Sequence, residues 1–170
     1  MSVVFEVSAA FVVAEGMAMT AEDLGYGLGR GFLKPTDVIA LAAHEMGCGA
    51  EDDVLVALGS LLRDEEVRVP DVLELLDDPE RIHDPRESAR KWLYLQLKAA
   101  YDVRERLQDP LGVVEEVYAD FAYPPTIAPF VRYMPLRPGD EPGVGPLMAR
   151  WAGYLAREGM ALRGRSAGCP

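Results

Sequence analysis

Two histidines, two cysteines and a handful of serines are the residues from which this chain would have to build a hydrolytic or metal site. His44 precedes Glu45, but no second histidine stands four residues on, so the zinc-protease spacing is absent. Cys48 lies at i+4 from His44, on the same helical face, and two ligands fall short of the three or four a zinc site needs. His83 stands before Asp84 at an expected helix start, where a capping or solvated role suits it better than catalysis. None of the serines sits in a G-x-S-x-G elbow. Gly25, Gly27, Gly29 and Gly31, in GYGLGRG, invite comparison with a phosphate loop. A phosphate cradle needs a strand before its glycines and amides converging on an anion, and the Walker lysine and hydroxyl are missing. Close helix packing is the better account of these glycines. Paired carboxylates occur at Asp52-Asp53, Glu65-Glu66, Asp77-Asp78 and Glu115-Glu116. Catalytic carboxylates need an apolar pocket that splits their pKa values, whereas consecutive acids on an amphipathic surface form a solvated face. No catalytic residue, metal ligand or cofactor is therefore expected. An enzyme assembled from His44, His83 and a central helix is the minority reading.

The elements that carry these residues are helical. Phe5, Ala9, Val12 and Val13 follow a helical rule, although Val3, Phe5 and Val7 also alternate like a strand; a helix is expected there. Thr20 and Asp23 form a capping arrangement for a helix to about Arg30, with Gly31 suited to the left-handed turn after it. A second helix runs from about Thr36 to Met46, with Val38, Ile39, Leu41, Ala42 and Met46 inward. Val54, Leu55, Leu58, Leu61 and Leu62 make the next apolar stripe, followed by Val72, Leu73, Leu75 and Leu76. Asp84-Pro85-Arg86-Glu87 opens the longest helix, to about Leu107. From Trp92 to Tyr101 only Gln96 and Lys98 are polar, which places this helix at the centre of a bundle. Asp109-Pro110 opens another, with Val113, Val114, Val117, Tyr118 and Phe121 inward, and Pro124 ends it by Tyr123. A last helix covers residues 147–158, and Arg163, Arg165 and Gly168 suggest a frayed tail. The expected fold is all-α: a single multi-helix domain of seven or eight helices around an apolar central helix. It would divide into residues 1–136 and a Gly/Pro loop plus helix at 137–170.

Charge narrows the partners. The chain carries a net −11, and residues 51–87 hold thirteen acids and four arginines, a net of −9. Such a field repels nucleic acid and anionic lipid and favours a basic protein. The candidate partner-binding set is Glu51, Asp52, Asp53, Asp64, Glu65, Glu66, Asp71, Glu74, Asp77 and Asp78. The apolar N-terminus carries Glu6 and Glu15 and lacks a basic start, unlike an export signal, and no apolar run reaches the roughly 20 residues of a membrane span. With Cys48 and Cys169 too few for a disulfide framework, and Cys169 in a loose tail, a reduced cytoplasmic protein is expected.

The stretch YADFAYPPTIAPFVRYMP, residues 118–135, mixes aromatics with four prolines. Prolines forbid a regular helix and fix an extended path, so the stretch reads as an arm packed on the core, with an exposed aromatic surface as the alternative. Its residues also carry a resemblance. Glu116 to Phe121 with Tyr123-Pro124, then Phe130 to Pro135, resemble the C-terminal signature of a small bacterial family of unknown function. Lys91-Trp92-Leu93-Tyr94 and the FLKPTDVIA stretch ending at Ala40 are similar too. The signature positions are Trp92, Tyr118, Asp120, Phe121, Tyr123, Pro124, Tyr133 and Pro135, and the resemblance spans roughly residues 20–136. It implies a helical fold and a place among immunity proteins of bacterial toxin systems, which bind a cognate toxin and block it. No catalytic residue comes with it. The expected function is neutralisation of a basic toxin, such as a nuclease domain, through the acidic surface. The alternative is a non-catalytic adaptor or scaffold for another basic protein.

Overall fold

A computed structural model describes residues 4–165. Among them there are eight α-helices and no strand: α1 (Ala9–Ala14), α2 (Ala21–Gly29), α3 (Pro35–Gly47), α4 (Asp53–Gly59), α5 (Val69–Leu73), α6 (Pro85–Asp102), α7 (Pro110–Asp120) and α8 (Val144–Gly164). Short 3-10 turns at Arg63–Arg68, Glu74–Asp77, Arg104–Arg106 and Ala128–Phe130 fill the connections. The all-α class is as expected. Backbone packing groups the described residues into two compact units: residues 6–92 with 162–165, and residues 4–5 with 93–161.

The helix starts follow local chemistry. Thr20 and Asp23 close a reciprocal capping box on α2, and Gly31 takes a positive φ of 76° beyond its end. Asp52 caps α4 by accepting the Val54 and Leu55 amides, and Asp109 caps α7 by accepting the Gly112 amide. Asp84 accepts the Arg86 amide at the start of α6. Residues 92–97 of α6 are all buried, as its apolar run predicts. The one polar side chain among them, Gln96, accepts the Phe5 amide and donates to the Phe5 carbonyl. A primary amide thus stands in for a neighbouring strand. The chain at Phe5 is bonded in this way outside any helix, and α1 begins only at Ala9.

In the unit of residues 6–92, α3 and α4 cross closely because Gly59 has no side chain: a Cβ there would lie 2.4 Å from the Met46 sulfur and 2.8 Å from the Ala43 nitrogen. Two inward assignments are corrected. Leu62 and Leu75 are 66% and 56% exposed, because 3-10 turns replace the expected helix and shift the apolar register; Val69 is the buried residue there. On α3, Glu45 turns inward too, its carboxylate accepting the Met19 amide, while Met46 is half-buried with its sulfur against Gly59. The chain near Arg163 is helical rather than frayed, with Leu162 buried. The Arg163 side chain lies over Gly16 and pairs with Glu15, and Arg165 pairs with Glu87 at 2.7 Å. Val3, Gly168 and Cys169 lie outside the described residues.

In the unit containing residues 93–161, the proline arm leaves α7 through two consecutive left-handed residues, Ala122 and Tyr123, both at φ 58°. Side chains with a Cβ resist that conformation, so packing must hold it. The Ala122 and Tyr123 amides donate to the Ala119 and Tyr118 carbonyls. Further on, Ile127, Phe130 and Val131 are buried, with Phe130 stacked on Trp151 at 6.5 Å.

Candidate functional site

The acidic run spans α4, the turn at Arg63–Arg68, α5 and the turn at Glu74–Asp77. Val54, Leu55, Leu58 and Val69 supply the buried side, and the carboxylates are left outside. Helix α5 packs against α4 and both flanking turns, which brings the acids of these elements onto neighbouring surface.

Two of the ten candidate carboxylates are committed within the fold. Asp52 caps α4 and accepts from Arg81 at 2.8 Å, and Arg81 also grips Glu22. Burial works against ionisation of Asp52, but the Leu55 amide and the Arg81 guanidinium outweigh it and hold the carboxyl below its ordinary value. Glu65 accepts the Leu62 amide at 2.8 Å and the Arg68 guanidinium at 2.7 Å, and its carboxyl is likewise held low. Asp78 accepts the Glu80 amide within a turn. The other seven, Glu51, Asp53, Asp64, Glu66, Asp71, Glu74 and Asp77, are exposed and make no ion pair with any described residue. Acids elsewhere are mostly engaged: Glu6 with Lys34, Glu22 with Arg81, Asp102 with Lys98, and Asp109 and Glu115 with Arg132.

A second polar assembly was not apparent from the sequence. Asp23, besides capping α2, is 1% exposed and accepts a hydrogen bond from Ser88 at 2.6 Å and an ion pair from Lys91. Lys91 also donates to the Ala18 carbonyl, and the Trp92 indole donates to the Asp23 carbonyl at 2.8 Å. His83 Nε2 lies 3.2 Å from the Ser88 hydroxyl. A nucleophilic serine must pass its proton to the imidazole. Here the hydroxyl proton goes to a carboxylate already neutralised by lysine, and Ser88 is buried, so the trio locks α6 onto α2. A cleft of about 490 Å³ opens beside it, lined by Glu22, Glu45, Asp52, Arg81, Lys91 and Arg165 among others. Its arginines and lysine are all paired with acids. Asp23 and Lys91 were legible only as a cap and a helix start; a lysine entering an otherwise apolar helix was the signal.

The histidine–cysteine pair stands at the end of α3, His44 in its last turn and Cys48 at its C-cap. Cys48 lies 3.6 Å from His44 but is disulfide-bonded, which departs from the expected reduced state and leaves no thiolate for a metal. Among the described residues no group of three or more His, Cys, Asp or Glu is placed to hold an ion. No helix among them is long and apolar enough to cross a membrane.

The signature residues divide between core and surface. Trp92 and Tyr118 are buried and Phe121 half-buried, while Tyr123 and Tyr133 are 60% and 59% exposed. Tyr118 meets Tyr123 edge-on at 5.2 Å and Tyr133 at 6.2 Å. Arg132 holds the arm to α7 with paired bonds to both Glu115 and Asp109, all between 2.8 and 3.1 Å. The arm is therefore packed at its apolar positions and presents two tyrosines outward. Asp120, Pro124 and Pro135 flank these contacts, with Pro135 exposed.

An all-α protein with an acidic run and an arginine-clasped arm is what the geometry defines. The chain belongs to a bacterial family described as uncharacterized protein conserved in bacteria (DUF2247), which it matches over residues 9–159. That span reaches beyond residues 20–136 and takes in the Gly/Pro loop and most of α8. No curated protein and no solved structure is detectably similar to the chain.

Proposed function

We propose that this protein is an immunity-type inhibitor that binds a basic toxin domain and masks its active face with the acidic run. One observation carries the reading: seven exposed carboxylates between Glu51 and Asp77 stand without a cation, in a molecule that pairs most of its other acids. A solubilising surface would need no such concentration. A nuclease active face must be basic to hold phosphates, so it offers the complementary field, fast association and charge-assisted hydrogen bonds. The resemblance carried by the YADFxYP and FVxYMP segments, which implies a place among immunity proteins, points the same way. In this scheme the partner is a protein, and no nucleic acid or membrane is bound.

The test is co-expression with whatever C-terminal toxin domain a neighbouring gene encodes, read as growth rescue and as a stable complex, and the absence of such a neighbour counts against the proposal. The triple variant D64K/E65K/E66K should fold and yet bind at least tenfold more weakly at low salt, with the difference shrinking as salt rises. Failure of the native protein to rescue growth would sink the proposal. The exposed pair Tyr123 and Tyr133 favours a second reading, an adaptor that anchors another basic protein on aromatic side chains. Retained binding by the triple variant and lost binding by Tyr123→Ala would select it.

A further inference from the structure

We infer that the unit of residues 93–161 carries a binding site for a small phosphorylated molecule, in a cleft between α8 and the proline arm. The cleft holds about 420 Å³ and is lined by Arg137, Arg150 and Arg157, with Asp140 the one acid, together with Thr126, Pro129 and Gly153. Three guanidiniums around one carboxylate give it a positive field in a protein of net −11.

The arginines differ in role. Arg150 is fixed: it donates to the Pro129 carbonyl at 3.3 Å and to the Glu141 carbonyl at 2.6 Å, with Asp140 at 3.9 Å. It tethers the arm and the loop to α8 and still has N–H groups to spare, since a guanidinium carries five. Arg137 and Arg157 are exposed, and neither makes an ion pair or a side-chain hydrogen bond with any described residue. Arg150, Gly153 and Arg157 fall on one face of α8 at i, i+3 and i+7, so the glycine opens a notch between two arginines. A Cβ at Gly153 would meet the Arg157 guanidinium at 3.1 Å.

The chemistry selects the ligand. Planar guanidiniums bind phosphate oxygens in pairs, and the Thr126 hydroxyl is a further donor. The volume exceeds a bare phosphate and falls in the range of small-molecule sites, so the phosphate would carry an organic group lying against Pro129 and Ala149.

Calorimetry and thermal shift on the whole protein test this, with pyrophosphate, ribose 5-phosphate and adenosine monophosphate as probes. Sodium chloride at matched ionic strength and malate serve as controls. At least one phosphate probe should bind in the sub-millimolar range. Arg137→Gln and Arg157→Gln should each weaken it about tenfold, and Gly153→Asp should abolish it, with unchanged helical circular dichroism. D64K/E65K/E66K should bind the probe like the native protein. Phosphates that stabilise no more than sodium chloride would overturn the site, as would native affinity retained in both arginine variants. Tighter binding of malate than of every phosphate would overturn the ligand class.

Discussion

Gly27 and Gly29 sit two residues apart in α2, and replacing each by alanine should move stability in opposite directions. A Cβ built on Gly27 would lie 2.2 Å from Trp92 Cζ2 and within 3 Å of two more indole atoms. The indole cannot give way. It is fully buried, donates to the Asp23 carbonyl at 2.8 Å, and packs on Phe32 with ring centroids 5.3 Å apart. Helix propensity alone would favour alanine by about 1 kcal/mol, but forcing a methyl into a filled core costs typically 1–3 kcal/mol and more where neighbours are fixed. A net loss of about 2 kcal/mol is expected for Gly27→Ala, or roughly 4–8 °C in Tm for a chain of this size. Gly29 has nothing within 4 Å of its Cβ position and is exposed, so Gly29→Ala keeps the propensity gain, about 0.5 kcal/mol near a helix end. Urea unfolding of both variants decides it, and Gly27→Ala with Trp92→Leu should recover part of the loss as a coupling energy. A Gly27→Ala protein as stable as the native one would refute the packing argument and reopen the glycines to another role.

Three further outcomes follow from the same contacts. Lys91→Met strands the buried Asp23 carboxylate and should cost about 3 kcal/mol, the lower end for breaking a buried pair because Ser88 and the Thr20 amide remain; urea unfolding measures it. Gly59→Ala meets backbone of α3 at 2.8 and 2.9 Å, so it should cost about 3 kcal/mol in the same assay. Asp52 has its folded pKa below its unfolded value, so the unfolded chain binds more protons and its contribution is lost as pH falls below about 4. Asp52→Asn keeps a capping side chain and should give a shallower decline in Tm across that acid range.

What was legible in the sequence was what neighbours decide. Thr20 with Asp23, Asp84 with Pro85 and Asp109 with Pro110 mark helix starts within a few residues, and all three stand where expected. Burial of residues 92–97 followed from an apolar run with no polar face. What escaped was decided by residues far apart in the chain. Gln96 reaches the Phe5 backbone across 91 residues, and Lys91 reaches Asp23 across 68. No local pattern foretells such pairings, and the Phe5 segment, bonded outside any helix, was misread as helix. For the acidic run, amphipathic spacing placed the carboxylates outside correctly. It could not separate Asp52 and Glu65, spent on caps and arginines, from the seven that stay unpaired.

Charge pairing links the two proposals without making either depend on the other. An exposed ion pair contributes little, about 0–1 kcal/mol, so an unpaired surface charge is not itself a cost that needs explaining. What needs explaining is distribution. Arg81, Lys91, Arg132 and Arg165 all find acids, as a random surface with excess carboxylate would predict. Arg137 and Arg157 do not, though they share a cleft, and the seven carboxylates of residues 51–77 make no ion pair, although Arg63 and Arg68 stand among them. Charges of one sign gathered in one place leave a field for something outside the molecule to neutralise. The two fields have opposite sign and rest on different residues, so salt weakens both while substitution separates them. D64K/E65K/E66K should weaken only the protein partner's binding, and Arg157→Gln only that of the phosphate. Loss of both activities in either variant would mean that the two sites are one system, in which the small molecule governs the grip on the partner.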